Sequence, residues 1–233
     1  METAGFRNPI RSPFLRRDPT PPSEQARDAA QNYLRSIGRE LAPPQPRAKP
    51  DPEVLRRIAL AYAALREDAS DDPAVHAAYL AFALETARQW EFIKDWLNVE
   101  FTSDDPYGPN SAAMFQDMRE NHRLKIYTGG PPHPIMSKII HPETGQNMNN
   151  IFRAVHDTFG HYREGNSFSE SGEFNAYLDH SAMYGPQAKR ALATETLGQN
   201  AAFNRSPQNE GKPNPEKAFP PQKADLLPEE LIV

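Results

Sequence analysis

Apolar residues recur three or four positions apart along most of the central chain, the period of a helix with one buried face. Ala26, Ala29, Ala30, Tyr33 and Ile37 follow this spacing behind Ser23, whose hydroxyl suits an N-cap, and the stripe stops near Gly38. Two stronger stripes open on an aspartate followed by proline, a pairing that caps the first helical turn and supplies its fixed φ. Asp51-Pro52 leads Val54, Ile58, Ala61, Tyr62 and Leu65. Asp72-Pro73 leads Val75, Tyr79, Phe82 and Leu84, and that stripe runs on through Trp90 and Ile93 to Trp96 and Leu97, so the pair predicts a helical hairpin. Residues 102–110 are turn chemistry, 111–121 a short helix with Met114, Phe115 and Met118 inward, and 124–127 one short strand stopped by the glycines and prolines of 129–134. A further helix starts from Asn147, Asn149 and Asn150 and carries Ile151, Phe152 and Val155; two more span 173–184 and 186–203. No internal repeat is present. The expected fold class is mainly α, a single helical domain with at most a short β element.

Composition divides the chain further. Of 24 prolines among 233 residues, nine fall in 1–50, nine in 51–205 and six in 206–233. Proline removes backbone donors and fixes φ, so the dense ends predict extended coil. The expected organisation is a proline-rich arm with one short helix over 1–50, a helical metal-binding catalytic domain over 51–205, and a disordered proline-rich tail over 206–233. No apolar run is long enough to span a membrane and no secretory h-region precedes a cleavage site, so a soluble cytoplasmic protein is expected. Arg7, Arg11, Arg16 and Arg17 hint at a transit peptide, but Pro9 and Pro13 break the helix that such a peptide needs. The chain has no cysteine, which excludes disulfides, thiolate ligands and cysteine nucleophiles. A net charge of −5 argues against nucleic acid as the main partner.

Three of the seven histidines, His156, His161 and His180, lie within 25 residues on segments read as helical. His156 and His161 are five apart, and five helical steps leave them about 140° apart around an α-helix. They converge only if a π-type turn closes the revolution in five residues, or if the helix ends at Gly160 and His161 swings back. Otherwise His156 is a core residue and His161 a helix-end residue facing solvent. Downstream stand Glu173, Asp179 and His180, then Glu195 among small and apolar residues with Gln199 one turn later. If buried, Glu195 must be paired or coordinating; the alternative is an exposed helix position near Lys189 and Arg190.

The string His156-Asp157-Thr158-Phe159-Gly160-His161 resembles the iron motif of the pterin-dependent aromatic amino acid hydroxylases, His-Glu-x-x-Gly-His, with Asp157 where that family has glutamate. Glu195, in its Thr-Glu-Thr-x-Gly setting, is similar to the family's later glutamate ligand. The resemblance covers about residues 150–200. It implies a two-histidine, one-carboxylate site of His156, His161 and Glu195 for non-haem Fe(II), which opens positions for O2 and a small, amino-acid-like substrate, with a pterin as reductant. Asp157 would then hydrogen-bond a ligand, and His180 would be a fourth ligand or proton donor.

Two other classes remain open. A zinc-dependent hydrolase would use the same three ligands with Glu173 or Asp157 as base, though the His-Glu-x-x-His spacing of common metalloproteases is absent. A non-catalytic interaction module would use the proline-rich arms to recruit a protein partner. No glycine-rich nucleotide motif is present, and no basic anchor for a pterin, keto acid or other reductant stands out.

Overall fold

The computed structural model describes residues 23–233 and is mainly helical. The start of the expected arm, with its arginines, lies outside the described residues. The predicted caps form. Ser23 Oγ accepts from Ala26 N at the head of α1 (Glu24–Ser36), and Asp51 and Asp72 accept from Glu53 N and Ala74 N at the heads of α2 (Pro52–Ala64) and α3 (Pro73–Trp90). Asn110 caps α4 (Ser111–Asn121), Asn147 caps α5 (Met148–His156) and Ser169 caps α6 (Glu170–Ser181). The last predicted helix is one rod in three pieces, α7 (Pro186–Ala193), a π turn over Thr194–Gly198, and α8 (Gln199–Arg205).

Between α3 and α4 the structure departs from the hydrophobic pattern. α3 stops at Trp90, although Ile93 and Leu97 beyond it are still buried. The chain then extends as β1 (Asn98–Thr102), which runs parallel to β2 (Arg123–Tyr127) in register from Asn98 against Arg123 to Thr102 against Tyr127. β2 is the predicted strand. β1 was hidden because its five residues alternate too briefly to be told from the apolar stripe before them.

α3 is the beam of the fold. It packs against α7 and α5, while α2 packs against α8 and α6 against the segment following α5. Phe82 of α3 sits between Phe152 of α5 and Tyr184, with ring centroids 4.7 and 5.4 Å away. All three are buried.

The flanks are part of this body rather than appendages. α1 buries Ala26, Ala29, Ala30, Tyr33 and Leu34. The extended stretch after it lies along α6, where Ala48 exchanges hydrogen bonds of 2.9 Å with the Asn175 amide and Arg47 pairs with Asp179 at 3.1 Å. The expectation of a disordered tail over 206–233 is corrected in the same way. Tyr62 donates to the Pro221 carbonyl at 2.9 Å, Ala224 bridges to Glu67 and Ala69, and Ala224, Leu227 and Leu231 are buried. Proline-rich backbone lacks partners for its own carbonyls, and here side chains and loops of the core supply them. Among the described residues no helix is long and apolar enough to cross a membrane.

Phe82→Ala removes the aromatic wedge between α3 and α5 and is expected to cost about 3–5 kcal/mol of unfolding free energy, measured by urea denaturation.

Candidate metal centre

The helix that begins at Asn147 changes pitch after His156, and residues Asp157–Tyr162 form a π turn. Two features favour the wider turn. Thr158 Oγ1 donates back to the Ala154 carbonyl at 2.8 Å, and Gly160 has no side chain where none would fit. A Cβ on Gly160 would stand 2.9 Å from the His156 ring and 3.1 Å from the Ala176 carbonyl oxygen. A five-residue step thus closes nearly one revolution, and the His156 and His161 rings meet edge to face with centroids 5.0 Å apart. This is the first of the two routes to convergence that the spacing allowed.

The third member of the group is Glu173, on the first turn of α6. One ligand atom from each of His156, His161 and Glu173 lies within 4.8 Å of the others. His161 Nε2 is 3.4 Å from Glu173 Oε2. Both imidazoles are tied off on their far side. His161 Nδ1 donates to the Asn166 carbonyl at 2.9 Å, which leaves Nε2 facing the group. His156 Nδ1 meets His180 Nδ1 at 2.9 Å, and His180 Nε2 meets Gln89 Oε1 at 2.9 Å. Because Gln89 Oε1 can only accept, His180 carries its proton on Nε2 and accepts on Nδ1 from His156. His156 therefore bears its proton on Nδ1 and a lone pair on Nε2, the tautomer a metal ligand needs.

Burial, and secondarily the charge of the other histidines, holds both His156 and His180 well below the usual imidazole pKa, so both are neutral. Burial also pushes His161 down, but the Glu173 carboxylate beside it outweighs that and raises it to about 9. A cation between the two would replace that proton.

Glu195, the carboxylate expected in this role, is not in the convergent group. It sits on the second π turn, buried, with Oε1 held by Tyr79 Oη at 2.6 Å and His133 Nε2 at 3.0 Å. His133 Nδ1 accepts from the backbone N–H groups of Ile135 and Met136, so its proton is on Nε2 and it donates to Glu195. Glu195 Oε2 accepts no hydrogen bond among the described residues, and the residue lines a cavity of about 310 Å³ together with His156, Asp157 and Glu173. Asp157 also faces this cavity, its pKa pushed up to about 7 by burial against the opposing pull of His161. His180, expected as a fourth ligand or proton donor, is fully buried behind His156 and acts on its ring rather than on the cavity. Tyr184 packs edge-on against His180 with ring centroids 4.9 Å apart, and its hydroxyl pairs with Thr86 Oγ1 at 2.8 Å.

The sequence does not mark Gln89 or Tyr79, because a polar atom at the tip of a core-facing helix position looks like ordinary core, nor His133, which lies in the proline-rich loop after β2. Glu173 was visible only as a base beside the site. Its place in the first turn of a helix capped by Ser169 is a weak signal, since acids are common there.

Gly160→Ala is expected to cost about 1–3 kcal/mol of stability in urea denaturation, because neither the ring nor the carbonyl can retreat far. In the metal-free protein at neutral pH, long-range 15N–1H NMR is expected to find His156 as the neutral Nδ1–H tautomer. No family model, curated protein or solved structure matches the chain.

Proposed function

We propose that the protein is a mononuclear non-haem Fe(II) oxygenase that acts on a small substrate, with His156, His161 and Glu173 as the ligands. The observation that carries this reading is the convergence of one ring nitrogen from each of two histidines and one carboxylate oxygen within 4.8 Å beside a cavity of about 310 Å³. Two imidazoles and a carboxylate on one side of an ion are the donor set of the facial triad, which leaves coordination positions for O2 and substrate. The donor set fits the ion in its support as well, since each histidine is oriented by a hydrogen bond from its other nitrogen. Bound there, ferrous iron supplies oxygen activation.

The chain's own residues supply the rest. Asn166 and His180 hold the two rings in their ligating tautomers. Glu195 is fixed through Oε1 and leaves Oε2 to take or return a proton at the cavity. Phe152 and Phe168 form apolar wall on the same cavity and limit access of water to it.

A zinc-dependent hydrolase is the second reading, and one observation favours it. A carboxylate pinned on one oxygen and free on the other, as Glu195 is, suits a general base for a water on the ion.

Metal analysis of anaerobically purified protein is expected to find about one iron per chain, lost in Glu173→Ala and in a His156→Ala, His161→Ala variant that remains folded. His180→Leu is expected to weaken iron affinity about 10–100-fold, the usual effect of removing a ligand's hydrogen-bond partner. Glu195→Gln is expected to keep the iron and to slow substrate-dependent O2 consumption, with tetrahydropterin as reductant, by about 10²–10⁴. Zinc at the same stoichiometry with hydrolytic activity would transfer the assignment to the second reading. A chain that takes up neither metal on reconstitution would overturn both.

A further inference from the structure

Arg153 is a cation that the chemistry above does not use. It lies on α5, three residues before His156, and borders the 310 Å³ cavity as well as two adjoining ones. Among the described residues it makes no ion pair, and its hydrogen bonds go from Nη1 to the carbonyls of Tyr127 and Gly129. Among the described residues Nε and Nη2 have no partner. Gly130, at φ 96°, carries no side chain over Nη2, where a Cβ would come to 3.9 Å. Of the acids that line the cavity, Asp157, Glu173 and Glu195, none reaches the guanidinium by a hydrogen bond, and Asp157 and Glu195 act on it by charge. Burial pulls the guanidinium's pKa down, and the charges of Asp157, Tyr127 and Glu195 oppose it.

Asn149 stands one turn earlier. It is buried, lines two of the same cavities and makes no side-chain hydrogen bond among the described residues. In an α-helix residues 149, 153 and 156 fall within about 60° of one another around the axis, and each residue adds about 1.5 Å along it. One face of α5 therefore presents an amide, a guanidinium and a metal-ligand imidazole in sequence. Arg153 and His156 are about 4.5 Å of helix rise apart.

From this arrangement we infer that Arg153 and Asn149 form a subsite for an oxyanion group, carboxylate or phosphate, of a small ligand whose reacting end lies about one helical turn away at the metal position. The guanidinium, fixed by two backbone carbonyls through Nη1, offers Nε–H and Nη2–H as the parallel pair that a planar carboxylate or a phosphate edge accepts. Only the position of the reacting end rests on the metal assignment. The oxyanion subsite itself does not.

The test uses the full metal-free chain titrated with inorganic phosphate and, separately, acetate, read by the 15N–1H resonance of Arg153 Nε and by calorimetry. A saturable shift of that resonance with either anion is expected, at a Kd on the order of 1 mM. Binding is expected to fall about tenfold or more in Arg153→Gln, the loss of a charge-assisted pair, and less in Asn149→Ala. Saturation by phosphate alone or acetate alone would support the subsite and name its group. His161→Ala is expected to keep the anion while losing the metal, so a failed metal assignment leaves this result intact. Absence of a saturable shift in the wild type, or unchanged affinity in a folded Arg153→Gln, would overturn the subsite, whatever metal the protein binds.

Discussion

The centre depends on one backbone constraint, the widening of a helix between Asp157 and Tyr162 so that a five-residue step returns to the same face. In α geometry the two imidazoles would point about 140° apart, and no side-chain rotamer recovers that angle. The π turn removes the problem at the level of the main chain. It is sustained by a threonine that bonds back one turn and by a glycine with no room for a methyl group. The same device recurs across the cavity. Thr196 donates to the Leu192 carbonyl at 2.7 Å in the second π turn, and a Cβ on Gly198 would stand 2.8 Å from Tyr62. Two π turns, a rare conformation concentrated at functional sites, thus border one cavity, with Asp157 of the first and Glu195 of the second in its lining.

α3 ties both walls together. Its residues Tyr79, Phe82 and Gln89 recur at helical spacing on the inner face, and each serves a different part of the centre. Tyr79 holds Glu195, Phe82 wedges against α5, and Gln89 sets the proton of His180 and through it that of His156. A buried polar group is tolerated when it is satisfied: Tyr79 Oη is bound by partners on other elements and Gln89 through Oε1, while Gln89 Nε2 has no partner among the described residues. The C-terminal segment closes the same layer, since the Lys223 carbonyl lies 3.1 Å from Tyr79 Oη and Leu227 N donates to Thr194. The cavity between the two walls carries Asp157, Glu173 and Glu195 against the single guanidinium of Arg153. A metal ion there would take the place of the proton that Glu173 holds on His161.

Much of the fold was legible because it is local. The caps at Ser23, Asp51, Asp72 and Asn147 lie next to the N–H groups they satisfy, so short strings of sequence suffice to place them. The errors have a common origin in long-range partners. Residues 91–97 kept an apolar stripe because Ile93 and Leu97 are buried, yet the chain there is turning toward a parallel strand whose mate lies 25 residues on. The proline-rich end read as disordered because composition reports what a segment cannot do with itself. It says nothing of the hydroxyls that Tyr62, Tyr79 and Thr194 offer to it.

The amino-acid sequence by itself determined the helical class, the helix starts, and the condition under which His156 and His161 could meet, since these follow from periods and from atoms a few residues apart. Tertiary structure decided which carboxylate joins them. Glu173 and Glu195 are both acids on helices downstream of the pair, and their local surroundings do not rank them. The packing of α6 against the first π turn brings Glu173 to 3.4 Å from His161, while Tyr79 and His133, distant in the chain, take up one oxygen of Glu195. Coordination is a condition on distances among several side chains at once, and only the folded chain fixes distances between residues that the sequence leaves far apart.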